Sequence, residues 1–233
     1  MRYVAYFFVF FGLLTCFQAA ADDGTLEGPV PNPPGAGNAG SLVQMGAHRY
    51  VVTPFESVSI SDQYVWTDNR HRAYFDGSMR VNGFLLFDIS GIPDGDTIVG
   101  MTLRCYLEEA FGSPYSNPVV DVYYSADDGW TRDTMQPGAL SLDVLLLNDV
   151  PFTTFIPYYD FVLDTGAHDW SGDLADNQIC IGFTNDVTYY SYVYFYGAYG
   201  EPAGPPPELT IETTPGPSPA DSQTWAEIKS LFR

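Results

Sequence analysis

Between His48 and Thr213 apolar and polar positions alternate in short runs, and Gly, Pro, Asn and Asp separate the runs. Alternation with a period of two, bounded by turn residues, predicts strands. The predicted strands cover 49–53, 57–60, 79–88, 98–108, 118–124, 152–163, 178–184, 189–196 and 207–212. In the third, Leu85 and Phe87 turn to the core ahead of turn chemistry at Asp88, Pro93 and Asp94-Gly95-Asp96. In the fourth, Ile98 and then Leu103, Cys105 and Leu107 face inward. No stretch sustains an apolar period of 3.6, so helix is expected to be scarce and parallel βα units are disfavoured. The expected fold is all-β: a single two-sheet antiparallel β-sandwich, jelly-roll-like, over 48–213.

The flanks have a different pattern. Met1-Arg2, an apolar run from Tyr3 to Phe17 and the small residues Ala19-Ala20-Ala21 predict a secretory signal peptide over 1–21. The run is shorter than the roughly 20 apolar residues of a membrane span. Leu13-Leu14-Thr15-Cys16 loosely resembles a lipobox, with Thr a poor fit before the Cys. Residues 22–47 are rich in Gly and Pro and predict a flexible, extended arm. After a Pro-rich linker at 214–223, Thr224 and Glu227 form a capping box, and Trp225, Ile228 and Phe232 fall on one helical face. A helix over 224–233 is too short to stand alone in water. It either docks on its own domain or serves as a tail for a sorting or attachment partner.

Composition narrows the class. The chain of 233 residues carries 29 acidic and 9 basic side chains, a formal charge of -20, and its one lysine is Lys229. Such a chain repels phosphate backbones and anionic lipid, which excludes nucleic acid as a partner. The expected location is extracellular, secreted or at the cell surface. Two cysteines lie beyond the signal peptide, Cys105 and Cys180. Cys180 is out of phase with Ile179, Ile181 and Phe183, which argues for buried free thiols over a disulfide; both readings stay open.

The stretch Phe84-Leu85-Leu86-Phe87-Asp88-Ile89-Ser90-Gly91-Ile92-Pro93, continued by Met101-Thr102-Leu103-Arg104-Cys105-Tyr106-Leu107, resembles the DNRLRE-type domain, which is similar to family 96 carbohydrate-binding modules. Val120 to Tyr124 with Asp127-Asp128-Gly129-Trp130-Thr131, Phe161 to Thr165 with Trp170, and Pro207 to Ile211 resemble later segments of that domain, in order. Arg132-Asp133 departs from the acidic residue usual there. The resemblance implies a β-sandwich module, in some members binding alginate-like or other polysaccharides and in others a part of large secreted proteins.

Candidate chemistry centres on aromatic residues. Tyr190, Tyr192, Tyr194 and Tyr196 share one face of the 189–196 run, and Val193 and Phe195 the other. Neighbours in such a row stand roughly 6.6–7 Å apart, and their rings suit the apolar faces of sugars. The competing reading is plain packing on a sheet face. Trp66 is a second candidate sugar contact and equally a loop anchor, while Trp130 and Trp170 are read as core. Asp-rich loops suit Ca²⁺, and Asp164, Asp169 and Asp173 are its candidate ligands, against the reading of solvated acidic loops. Arg70 and Arg72 could clasp uronates but are read as balancing Asp68 and Asp76. His48, His71 and His168 are scattered without a catalytic motif, so no enzyme activity and no certain cofactor are expected. The sequence therefore suggests a non-catalytic binder of polysaccharide, neutral rather than polyuronate because of the charge. The alternative is a structural or adhesive surface protein without a sugar site.

Overall fold

A computed structural model describes residues 40–45, 48–68, 70–112, 117–152, 157–198 and 204–216. The expected signal peptide (1–21), most of the expected arm and the expected helix (224–233) lie outside the described residues. The linker expected at 214–223 is described only as far as Gly216.

The protein is all-β, and every strand pairing is antiparallel. In chain order the strands are β1 (Leu42–Gln44), β2 (Arg49–Val52), β3 (Glu56–Ile60), β4 (Val65–Trp66), β5 (Arg70–Phe75), β6 (Arg80–Asp88) and β7 (Thr97–Phe111). They continue with β8 (Val119–Ser125), β9 (Val144–Pro151), β10 (Tyr158–Leu163), β11 (Gln178–Thr184), β12 (Ser191–Tyr196) and β13 (Glu208–Thr214). Helix among the described residues is confined to the 3₁₀ turn Thr165–Ala167 and to α1 (Ser171–Asp176), which ends on Asn177 in the left-handed region at φ 69°.

Hydrogen-bonded neighbours run β1-β2-β13-β7-β12-β5-β6-β11-β8-β9, with β10 on β7 and β3 on both β4 and β6. β7 joins the parts. Its Thr97–Arg104 half pairs with β13, Met101–Tyr106 with β10, and Leu107–Phe111 with β12.

Alternation turns one side of several strands into a shared core. Leu103 of β7, Phe161 of β10 and Leu209 of β13 are buried with Leu85 and Phe87 of β6 and Ile181 and Phe183 of β11. Phe161 meets Phe183 edge-on at 5.7 Å. β6 and β11 are buried on both faces. Their other side places Phe84, Leu86 and Cys180 in a second cluster with Val58, Ile60, Trp130 and Met135. That double burial explains why Cys180 is out of phase with Ile179 and Ile181. Cys105 belongs to the first cluster, and both thiols are free and buried.

Four strands differ from the sequence reading. β1 lies inside the expected arm, where Ser41 N donates to Thr53 Oγ1 and Leu42 packs on the core. β4 is a two-residue strand on β3. β5 was hidden by its charged residues. β9 was hidden because Asp149, at φ 55°, and two register shifts against β8 break its alternation. The single strand expected at 152–163 reduces to β10 in its second half. No helix among the described residues is long and apolar enough to cross a membrane.

Candidate functional site

β12 alternates as its sequence requires. Ser191, Val193 and Phe195 are buried, and Tyr192, Tyr194 and Tyr196 stand half-buried on the opposite side. The neighbours complete this outer face. On β5, Tyr74 lies opposite Tyr192, Arg72 opposite Tyr194 and Arg70 opposite Tyr196. On β7, Phe111 lies opposite Tyr192 and Glu109 opposite Tyr194. The register then slips so that Phe195 faces Leu107, which leaves Glu108 as an extra residue. This bulge lets Glu108 and Glu109 both reach the outer side while Leu107 and Ala110 turn to the core.

The rings form one cluster. Tyr192 has near-parallel neighbours in Tyr194 (4.5 Å, 21°), Phe111 (5.6 Å, 24°) and Tyr74 (6.4 Å, 29°). Tyr190, just before β12, stands nearly perpendicular to Tyr192 and Tyr74 at 5.9 and 6.0 Å, and touches Phe111 at 5.6 Å. Tyr190 is 45% exposed and Phe111 44%. Tyr194 is flanked by the guanidinium groups of Arg70 and Arg72, 5.8 and 5.7 Å from its centroid. Tyr190, Tyr192 and Tyr194 of the sequence-predicted row are thus brought together, with Tyr196 at the strand end opposite Arg70, but the central rings already pack against neighbours. The most exposed rings of this face are Tyr190 and Phe111.

Charges on this face are satisfied from within. Arg70 donates from Nε and Nη2 to Glu108 at 2.8–3.1 Å, and these bonds hold the guanidinium proton more firmly than usual. Arg72 donates to both oxygens of Asp68 at 2.6 and 2.5 Å. The expected partner Asp68 is found. Asp76 instead closes a turn through Ser78 and Met79 and accepts from the Tyr74 hydroxyl at 3.3 Å. The Tyr192 hydroxyl donates to Glu109 Oε1 at 2.7 Å. Burial raises the Tyr192 phenol well above its ordinary range and pushes Tyr194 up to about 12. Both stay neutral near pH 7 and offer hydroxyls rather than charge.

The remaining candidates have local roles. Trp66 is only 6% exposed, with its ring 5.8 Å from the Arg72 guanidinium. It braces the face from beside and presents almost no ring, because Trp66 alternates inward on β4. Trp130 and Trp170 are buried, as the sequence suggests. The Asp164, Asp169 and Asp173 trio is not brought together. Asp164 accepts from Gly166 N at 3.0 Å, Asp169 from Ser171 N at 3.1 Å, and Asp173 pairs with His168 Nε2 at 2.9 Å. Among the described residues no three His, Cys, Asp or Glu side chains gather to hold a metal ion. His168 also stacks on Tyr124 at 3.8 Å, and burial raises the Asp173 carboxyl.

Sequence reasoning missed Tyr74 and Phe111. The Arg70/Arg72/Tyr74 alternation against buried His71 and Ala73 carries the signal for Tyr74. Phe111 needed the bulge, which no pattern announces. No protein-family model matches the chain, and no curated protein sequence matches it.

Proposed function

We propose that the protein is a secreted, non-catalytic carbohydrate-binding module of two-layer β-sandwich, jelly-roll-like form. Its outer face on β5, β12 and β7 takes neutral polysaccharide. The observation that carries this is the continuous aromatic cluster with Tyr190 and Phe111 open to solvent. Sugar C–H faces stack on such rings, and the phenols of Tyr74 and Tyr192 lie within the same cluster to meet sugar hydroxyls. Neutral ligands fit better than polyuronates. Arg70 and Arg72 are committed to Glu108 and Asp68, and Glu109 adds negative charge. The sequence resemblance to the DNRLRE-type domain supports the same class. Residues 1–21 would direct secretion, and 224–233 would serve as the attachment segment.

Affinity electrophoresis tests the reading, with xyloglucan, galactomannan and hydroxyethylcellulose in the gel and alginate as the acidic comparator. Wild type is expected to be retarded by a neutral polymer and not by alginate. Tyr190→Ala with Phe111→Ala is expected to abolish retardation while the melting temperature holds. Both side chains are exposed and removable without opening the core. Retardation unchanged in that variant would overturn the reading. It would favour the alternative of a structural or adhesive surface protein, to which the mutual packing of Tyr192 and Tyr194 also lends weight.

A further inference from the structure

A trough with a cavity volume of about 520 Å³ runs over the outer face of β2, β13, β7 and β10. That is within the range of clefts that hold small ligands. Its floor follows from register. Thr102 lies between Val162 and Thr210, and Thr210 lies beside Val51. Gly100, with no side chain, keeps the floor low next to Glu212. One end is closed by Arg104, which donates to Asp160 at 2.7 and 2.8 Å. The other is closed by Arg49 beside Glu212 at 3.9 Å. Val162 is 68% exposed at the rim.

The trough and the aromatic cluster lie on the same side of β7. Leu103, Cys105, Leu107 and Ala110 take its inner side. Thr102, Arg104, Tyr106 and Glu108 take its outer side, and beyond the bulge so do Glu109 and Phe111. Between the two areas the Tyr106 and Tyr158 rings meet at 6.1 Å, with the Arg104 guanidinium 4.4 Å over Tyr158. Thr102 and Phe111 are nine residues apart, roughly 30 Å at the rise of a strand. No single sugar spans that distance, and an extended chain does.

We propose that the trough is a second contact area for the same neutral polysaccharide, so that one glycan chain lies along β7 across both areas. The proposal rests on the carbohydrate reading above. The chemistry of the trough matches that ligand class. Facing threonine hydroxyls exchange hydrogen bonds with sugar hydroxyls, valine methyls meet C–H faces, and the arginines are neutralised within their own pairs. With Asp160, Glu208 and Glu212 lining it, the trough repels a polyanion.

The test compares the neutral polymer that retards wild type with its own oligosaccharides, from disaccharide to hexasaccharide, by calorimetry. Two trough variants are used: Thr102→Ile with Thr210→Ile, which removes both hydroxyls but keeps β-branched residues in place, and Val162→Arg, which projects from an exposed position and is expected to fold. Both are expected to weaken polymer binding about tenfold and to leave disaccharide binding unchanged. Tyr190→Ala with Phe111→Ala is expected to weaken polymer and disaccharide alike. If Val162→Arg is folded and binds the polymer as tightly as wild type while the aromatic variant loses it, the trough proposal fails and the carbohydrate reading stands. If wild type binds none of the polymers, both fail. Disaccharide binding lost in the trough variants would place a short-ligand site there and overturn the shared-chain arrangement.

Discussion

His71 sits in an environment at odds with its chemistry. It points inward from β5 and is fully buried, edge-on to Phe183 at 4.7 Å, with neither ring nitrogen hydrogen-bonded. Burial, with a smaller contribution from the Arg72 charge, lowers its pKa from 6.5 to about 3. A proton therefore binds the unfolded chain first. The stability due to neutral His71 is fully present above pH 6.5 and is lost as pH falls toward 3, on the order of 5 kcal/mol across that window. His71→Leu removes two unpaired nitrogens at similar volume. Its urea midpoint is expected to equal or exceed wild type at pH 7 and to fall less steeply between pH 6.5 and pH 4. Parallel curves for the two proteins would refute this role. The identity of His71 is plain in the sequence, but its burial is not, because Arg70 and Arg72 on either side look like a solvated segment.

At the scale of elements, β5 and β6 are held close by the small residue between them and the core. A Cβ at Gly83 would sit 2.8 Å from His71 Cε1 and 2.9 Å from the Arg72 carbonyl oxygen, which is backbone and cannot swing away. Gly83→Ala is expected to cost about 1–3 kcal/mol through overpacking, read as a lowered urea midpoint at unchanged m. A variant as stable as wild type would show that the two strands can separate without loss. Legibility also divides by element. β12 and β13 followed directly from period two, because Val193 and Phe195, and Leu209 and Ile211, turn to one core, while β6 followed from its apolar run Phe84 to Phe87 bounded by turn residues. β5 was not legible: the local pairing of Arg72 with Asp68 was expected, but Glu108, which lets Arg70 stand in a central strand, is distant in the chain. The tyrosine row was legible as a shared face. That its rings lean on Tyr74 and Phe111 was not, because cross-strand neighbours depend on register.

For the whole molecule, charge is the governing quantity. A formal charge of -20 on 233 residues makes self-repulsion a cost to the compact state. Added salt screens it, since the Debye length falls to about 10 Å at 0.1 M. The melting temperature is expected to rise from low to moderate NaCl, with KCl giving the same rise. A flat or falling curve would mean that the surface ion pairs of Arg80 with Asp186 and Arg104 with Asp160 outweigh the repulsion.

The bulge on β7 has a consequence for how such a surface is gained or lost. Leu107 faces the core, so uninterrupted alternation would also send residues 109 and 111 inward. The extra residue at Glu108 reverses that parity, and only for this reason does Phe111 stand beside Tyr192. Deleting one codon there would substitute nothing on β12 or β5. It would also leave Ala110 inward and Phe111 outward, because regular alternation from Leu107 then runs out at Glu109, in at Ala110 and out at Phe111. Losing the bulge with Glu108 retained is what would bury the phenyl ring and leave a methyl group where the tyrosines now find their neighbour.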